Sequence, residues 1–135
     1  MLLYFLYLIL SPILWIILIF SSIFNHKIRT RFRDLPISWK SALIKIKQKK
    51  LKRKLIILHA ASAGEFEQLK PILRRVDHDK YFVLQSFFSP TIFEKEKDSS
   101  LFDAVCYLPF DFAGSVYLFF KKFQPEILII TRHDI

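Results

Sequence analysis

The residues of this chain that could do chemistry are concentrated at one short junction, residues 59–65, whose sequence is HAASAGE. The apolar run that leads into it predicts a strand over 55–60, and the apolar periodicity after it predicts a helix over 66–76. An acidic residue on a strand-to-helix turn lies where open α/β sheets bind ligands, beyond the carboxyl ends of the strands. Glu65 would lie in the first turn of the helix, where the helix dipole favours an ionised carboxylate. Such a group can act as a general base on a hydroxyl.

The same junction also fits a purely structural interpretation. Ser62 could cap the helix while Glu65, three residues later, completes a capping box. Capping patterns far outnumber catalytic ones, so the residues by themselves favour the cap. Gly64 lacks a side chain, which would let a substrate approach the backbone beside Glu65. His59 is a weaker candidate, because a structural hydrogen bond explains a histidine at a strand end at least as well.

Beyond this junction, short apolar runs alternate with helical patterns. The runs predict strands and the patterns predict helices, with strands over 55–60, 81–88, 104–108 and 126–131 and helices over 66–76, 92–97 and 113–123. Asp111 is in position to cap the last of these helices. Strands that alternate with helices form βαβ units, so the predicted fold is α/β with a parallel sheet. The glycine patterns of dinucleotide-binding and P-loop proteins are absent, and we expect no cofactor.

The first residues of the chain predict a membrane anchor. Residues 2–24 carry no charged side chain, and a helix of that length spans roughly 34 Å, enough for a hydrocarbon core of about 30 Å. A cleaved signal peptide fits less well, because no Lys or Arg precedes the apolar run and no small-residue cleavage site follows it. We therefore expect an uncleaved, single-pass anchor over residues 1–25.

Basic charge is concentrated directly after this anchor. The net charge is +9 overall, with +11 over residues 26–54 and −2 over residues 55–135. The positive-inside rule then places the part after the anchor in the cytoplasm. Basic segments also mark nucleic-acid-binding proteins. Next to an anchor, attraction to anionic membrane lipids explains the charge better, and we expect no nucleic-acid partner.

This basic juxtamembrane segment also carries an apolar stripe at helical spacing, formed by Trp39, Leu43 and Ile46. Lysines surround the stripe, which favours a short helix lying on the membrane surface. A linker helix packed on the domain is the alternative, and the pattern favours the two almost equally.

The chain thus divides into three predicted parts: an anchor (1–25), a basic segment (26–54) and an α/β domain (55–135). Doubly wound domains usually continue with further strands, and the third part is near the lower size limit for an independent core. We therefore expect a truncated domain. Its one cysteine, Cys106, lies in an apolar run and is typical of a buried small hydrophobe. The histidines are scattered, and no metal site is predicted.

Three segments, taken in order, resemble the N-terminal half of the 3-deoxy-D-manno-octulosonic acid (Kdo) transferases, bacterial glycosyltransferases of lipid A. Residues 58–65 (LHAASAGE) are similar to the strand and turn that end in Ser-x-Gly-Glu in that family. Residues 107–111 (YLPFD) resemble its Tyr-Leu-Pro-Tyr/Phe-Asp segment, and residues 124–130 (QPEILII) follow as its pattern requires. The apolar anchor with its basic flank also matches. Each motif is weak alone, and the ordered set is fairly specific.

The resemblance implies a two-domain fold of the glycosyltransferase-B type, of which this chain holds a Rossmann-like, incomplete N-terminal domain. That domain would bind the lipid A precursor, and a C-terminal domain would hold most of the CMP-Kdo site. Glu65 would be the catalytic base of a single inverting displacement, with Ser62 and Gly64 in contact with the acceptor. The implied location is the bacterial inner membrane, with the soluble part cytoplasmic and no metal required. The rival interpretation is a membrane-tethered α/β binding module without catalysis.

Two segments depart from the family pattern. Residues 85–91 (QSFFSPT) keep only part of its Thr-rich segment that contains Pro-Thr-Gly. Residues 132–135 (RHDI) stand where the family usually has Glu-Thr-Glu-Leu-Trp. Asp134 preserves the acid and is a candidate acceptor-binding residue, while Arg132 and His133 change the charge of that turn.

Overall fold

A computed structural model describes the backbone of residues 2–131 and the side chains of residues 5–131. Two helices lead the chain and an alternating series follows: α1 (Leu2–Phe24), α2 (His26–Lys49), β1 (Lys54–Ala60), α3 (Ala63–Leu73), β2 (Tyr81–Phe87), α4 (Pro90–Glu96), β3 (Ala104–Tyr107), α5 (Ala113–Phe123) and β4 (Ile127–Ile130). The strands form one parallel sheet in the order β3-β2-β1-β4. The predicted α/β fold with a parallel sheet and an apolar N-terminal helix is confirmed.

Helices cover both faces of this sheet. Successive side chains of a strand point to opposite faces, so Leu55 and Ile57 of β1 pack with α2 and α5, while Ile56 and Leu58 pack with α3 and α4. The strands are therefore apolar on both faces, as parallel strands between two helical layers usually are. The result is a three-layer α/β/α sandwich.

The strand order fixes where a ligand can bind. From β1 the chain passes to β2 and then β3 on one side, and α5 returns it to β4 on the other side of β1. The order in which strands are added to the sheet therefore changes sides between β1 and β4, which makes this position a topological switch point. Open α/β sheets bind ligands at such a point, outside the carboxyl ends of the strands. The turn at residues 61–62, which leads from β1 into α3, lies at this edge.

The helix α2 belongs to the sandwich. Trp39 and Ala42 are buried against β1 and α5, with Leu43 and Ile46 packed beside them. The expectation that this stripe lies on the membrane surface is wrong, because the stripe is buried in the core. The alternative of a helix packed on the domain is confirmed.

Side chains of α2 also satisfy the edge of the sheet. The Tyr107 N–H donates to the Ser38 hydroxyl over 3.1 Å, and the Trp39 indole N–H donates to the Tyr107 carbonyl over 2.8 Å. Because β3 is an edge strand, these backbone groups have no neighbouring strand to pair with. The two bonds pair the N–H and the carbonyl of Tyr107, and they fix the position of α2 along the sheet.

The N-terminal helix α1 packs along the domain by one stripe of its surface. It contains a segment, Phe5–Phe24, that is long and apolar enough to cross a membrane, with a mean hydropathy of 2.4. The Trp15 ring stacks on Phe112 with centroids 4.9 Å apart and meets Phe32 of α2 at 5.6 Å. The remaining sides of α1 expose a nearly continuous apolar surface.

Two predicted helix starts and one predicted helix cap differ from the structure. The helix expected over 66–76 begins earlier, at Ala63, because Ser62 caps it, and it ends at Leu73, two residues after Pro71. The helix expected over 92–97 also begins earlier, at Pro90. Asp111 does not cap α5, whose N-cap is Phe112 without a side-chain cap bond. Instead the Tyr7 hydroxyl of α1 accepts from the Ala113 N–H and donates to the Asp111 carbonyl, each over 3.0 Å. A residue from the first helix therefore closes the start of the last one.

Burial of Trp39 predicts a large effect of its removal. Trp39→Ala should lower the free energy of unfolding by about 3–5 kcal/mol, because it empties a core site. Trp39→Phe keeps a buried ring and loses the bond to β3, worth about 1 kcal/mol. Urea unfolding of the chain in detergent, followed by circular dichroism, measures both variants.

The matched control is Ile44→Ala, which changes an exposed side chain of the same helix. It should alter the free energy of unfolding by less than about 0.5 kcal/mol. Equal effects of Trp39→Ala and Ile44→Ala would contradict the position of α2 in the core.

Candidate active site

The structure brings four of the five predicted site residues together at the carboxyl end of β1. His59 is near the end of the strand, Ser62 lies in the turn, and Gly64 and Glu65 lie in the first turn of α3. The end of β4 is joined to this point, because the Thr131 hydroxyl donates to the His59 carbonyl over 3.0 Å. Asp134 lies outside the described residues.

The carboxylate of Glu65 is fixed by the backbone of the turn. Its Oε2 accepts from the Ala61 N–H over 2.6 Å, and the Glu65 N–H donates to the Ser62 hydroxyl over 3.3 Å. The two bonds resemble the reciprocal bonds of a capping box. The difference is that the carboxylate accepts from the residue before the N-cap and not from the N-cap itself. The capping interpretation of Ser62 and Glu65 is therefore present in the structure.

Capping by Glu65 is compatible with a role as a base. A carboxylate offers about four lone-pair positions, and the bond to Ala61 uses one of them. Bonds to backbone N–H groups fix the orientation of the group, which a general base needs before the substrate arrives. The side chain is half-buried, so it is held by the fold and still reached from outside.

Gly64 leaves the surface beside this carboxylate uncovered. No glycine among the described residues has a positive φ angle, so its backbone conformation does not require glycine. Gly64 is exposed in the first turn of α3. A missing side chain at this position leaves room next to Glu65.

His59 is buried and bound to the neighbouring strand. Its Nδ1 lies 3.0 Å from the Ser86 hydroxyl, and the two residues are register partners in β1 and β2. Burial lowers the pKa of His59, and the nearby Glu65 opposes that effect only in part. The imidazole is therefore neutral at neutral pH, and its contact with Ser86 is the structural hydrogen bond that the sequence left open.

An apolar groove of about 370 Å³ adjoins this edge of the sheet. His59 lies on one side, and the loop after β3, α5 and the end of β4 form the other walls. Phe88, the residue that follows β2, separates this groove from a second one of about 300 Å³ beside α1 and Arg31. Both grooves lie at the carboxyl ends of the strands, the edge at which open α/β sheets bind ligands.

Arg31 was not predicted as a site residue. Its side chain is only 2% exposed, and its guanidinium lies over the Phe88 and Phe110 rings, 3.6 and 4.2 Å from their centroids. One signal could have found it, since Arg31 continues the inward stripe of α2 toward the N-terminus at helical spacing from Leu35 and Trp39. Arg31 is hard to recognise in the sequence because many of the neighbouring Lys and Arg residues are exposed.

Within the residues that the structure describes, no group of three or more His, Cys, Asp or Glu side chains is placed to hold a metal ion. Cys106 is buried and free, and burial raises the pKa of its thiol well above its usual range. A thiol in that state is a poor nucleophile. The titratable candidate residues described at this end of β1 are Glu65 and His59.

The domain is a three-layer α/β sandwich with a carboxylate held at its topological switch point, the place where open α/β sheets bind ligands. Residues 37–135 match the family model for 3-deoxy-D-manno-octulosonic-acid transferase (kdotransferase). The match covers most of the chain, and the chain belongs to this family. Comparison with curated proteins and with solved structures finds no match. Membership of the family gives the chain a glycosyltransferase role in lipopolysaccharide biosynthesis.

The matched region contains the whole sheet and the inward stripe of α2 from Ser38 onward. It does not contain α1 or Arg31. The second groove is therefore built partly from residues that the family match does not describe.

Burial of His59 predicts how the stability of the chain depends on pH. Because its pKa lies below the value of 6.5 for a free histidine, the unfolded chain takes up this proton first as the pH falls. The free energy of unfolding should therefore decrease from pH 7 toward pH 5 and be unaffected by this residue above pH 7. Urea unfolding at pH 7, 6 and 5 measures the effect.

His59→Asn should remove this part of the pH dependence, whereas His26→Asn, at an exposed position of α2, should keep it. A wild-type pH profile in the His59→Asn variant would contradict a buried neutral imidazole.

Proposed function

We propose that this chain is the acceptor-side, membrane-attached part of a glycosyltransferase that moves Kdo from CMP-Kdo to a lipid A precursor. One observation carries the proposal, the 2.6 Å bond that fixes the Glu65 carboxylate at the topological switch point of the sheet. In a domain of the kdotransferase family, an acid held in this way supports a role as general base.

The proposed reaction is one displacement at the anomeric carbon. A glucosamine hydroxyl of the acceptor attacks that carbon, Glu65 takes the hydroxyl proton, and the bond to the phosphate oxygen of CMP breaks. Attack opposite the leaving group inverts the anomeric centre. CMP leaves as a phosphate that is already ionised at neutral pH, so cations and backbone dipoles stabilise it better than a proton donor would.

The remaining predicted residues have supporting roles in this proposal. Ser62 holds the turn, and Gly64 leaves space for the acceptor beside Glu65. His59, neutral and bound to Ser86, forms a wall of the apolar groove. Asp134, which follows β4 in the sequence, would also contact the acceptor.

The donor would be held by a second α/β domain of the glycosyltransferase-B type. The carboxyl ends of β1 and β4 form an open edge, and a facing domain would close it over the reacting atoms. Closure of that kind excludes water from a glycosyl donor that would otherwise hydrolyse.

Membrane attachment would bring the enzyme to its lipid substrate. The apolar sides of α1 supply the attachment, and exposed cations of α2, among them Lys27, Arg29 and Lys40, would attract anionic lipids at about 1 kcal/mol each. We place the chain at the bacterial inner membrane with its α/β domain in the cytoplasm.

If α1 crosses the bilayer once, some of its contacts with the domain have to break. Tyr7 lies about 27 Å along the helix axis from Asn25 at 1.5 Å per residue. It also bonds to residues 111 and 113 of the domain. A crossing at right angles therefore requires the contacts of Tyr7 and Trp15 with the domain to open in the membrane.

Glu65→Gln tests the catalytic proposal, in a protein that joins residues 1–135 to a kdotransferase donor domain. The amide oxygen can still accept from the Ala61 N–H, so the turn keeps its bond, but the amide cannot take a proton. Kdo transfer should fall by about 10²–10⁴-fold with unchanged thermal stability. Incorporation of labelled Kdo into the lipid acceptor measures turnover.

The matched control is Glu67→Gln, which changes an exposed acid of the same helix and should leave turnover near wild type. Near-normal transfer by Glu65→Gln would reduce Glu65 to a cap. Absence of transfer in the wild-type protein as well would favour the non-catalytic binding module.

Labelling of single introduced cysteines tests the membrane arrangement. Leu2→Cys lies at the start of α1, before the apolar span Phe5–Phe24, and Ser100→Cys is exposed on the domain. In spheroplasts an impermeant maleimide should label Leu2→Cys, while Ser100→Cys should react only after lysis. The native Cys106 is fully buried and should stay unlabelled. Labelling of Leu2→Cys only after lysis would contradict the crossing and favour α1 lying along the domain.

A further inference from the structure

Arg31 is a buried cation with too few partners. Its Nη2 donates to the Leu108 carbonyl over 2.5 Å, while its Nε and Nη1 are buried and have no hydrogen-bond partner among the described residues. None of the ion pairs in the described part of the chain includes Arg31. Burying a charge without an opposite charge is costly, and proteins normally pair it.

The charge of Arg31 persists despite its burial. Desolvation lowers the pKa of its guanidinium to about 10, so the group is still protonated at neutral pH. The two phenylalanine rings compensate part of the cost through cation–π contact. The rings do not accept the in-plane N–H groups of Nε and Nη1, which have no acceptor among the described residues.

The groove beside Arg31 has the composition of a lipid site. Its volume of about 300 Å³ is bounded by the apolar side chains of Leu18, Ile28 and Pro90. Its polar lining is small and cationic or neutral, from Lys27 and Ser89 besides Arg31. The groove therefore combines positive charge with an apolar wall formed in part by α1.

We propose that this groove, which we call the Arg31 pocket, binds the phosphate headgroup of a membrane lipid. The planar guanidinium presents donors in a fork that fits phosphate oxygens. Lys27 adds a second cation, and the acyl chains would lie along the exposed apolar side of α1. The ligand class is a lipid phosphate monoester.

The Arg31 pocket would hold the acceptor so that its sugar extends toward Glu65. This step rests on the proposed function. Phe88 lines both the Arg31 pocket and the groove that contains His59. A phosphorylated glycolipid held by its phosphate at Arg31 would extend past Phe88 toward Glu65. Arg31 is then a positioning residue for the acceptor.

Binding of short-chain lipids to the full chain in detergent micelles tests the pocket without any donor or turnover. The probes are dioctanoyl phosphatidic acid, dioctanoyl phosphatidylcholine and inorganic phosphate, each titrated by calorimetry. Phosphatidic acid should bind saturably and at least about tenfold more tightly than either of the others, because only it combines a phosphate monoester with apolar chains. Inorganic phosphate that binds as tightly would overturn the lipid part of the proposal.

Arg31→Met should weaken phosphatidic acid binding by about tenfold or more. It should fold with an unchanged or higher melting temperature, because an apolar side chain replaces an unpaired buried charge. The matched control Arg33→Met, at an exposed position of the same helix, should bind within about twofold of wild type. Equal binding by the two variants would overturn the proposal and leave Arg31 as a structural contact.

Arg31→Lys decides the case if Arg31→Met does not fold. It keeps the charge and loses the planar fork, so binding should weaken several-fold, and wild-type affinity in this variant would overturn the assignment. A chain that binds phosphatidic acid through Arg31 yet transfers no Kdo would leave the pocket standing and remove the proposed function.

Discussion

A parallel sheet has to be covered on both faces, and this requirement determines most of the molecule. The three connecting helices cover one face fully and the other only in part. The basic helix that precedes the sheet supplies the remaining cover through Trp39 and Ala42. Ser38 and Trp39 also form hydrogen bonds with the backbone of Tyr107 in the edge strand. Because α2 is held in this way, Arg31, two helical turns before Trp39, lies beside Phe88 and Leu108, the residues that follow β2 and β3.

The alternation of strands and helices could be predicted from the sequence because burial on both faces leaves each strand as a short apolar run. The bounds predicted for the last helix, 113–123, agree with α5. The stripe of Trp39 left two interpretations open, because amphipathic helices that face a core and those that face a lipid surface share one periodicity. The cap of α5 could not be predicted, since it comes from Tyr7, more than a hundred positions away.

At the candidate site, contacts between residues close in sequence could be predicted, whereas contacts between distant residues could not. The turn of Ser62 and Glu65 could be predicted because its bonds run between residues close in sequence. For Arg31 the sequence shows only its place on the inward stripe of α2, because its contacts with Phe88 and Phe110 form only in the folded sheet. Glu65 also shows why the structural and catalytic interpretations of such an acid are not exclusive. The bond that caps the helix is the same one that holds the carboxylate in place.

The closure of α5 by Tyr7 has a practical consequence for producing this domain. Removing the apolar helix is the usual way to make a membrane-attached domain water-soluble. Here it would leave the Ala113 N–H without its acceptor and strip Trp15 from Phe110 and Phe112. A shortened protein would then expose an aromatic patch in the segment between β3 and α5, and such patches promote aggregation. Expression with the helix intact, in detergent or nanodiscs, preserves that edge.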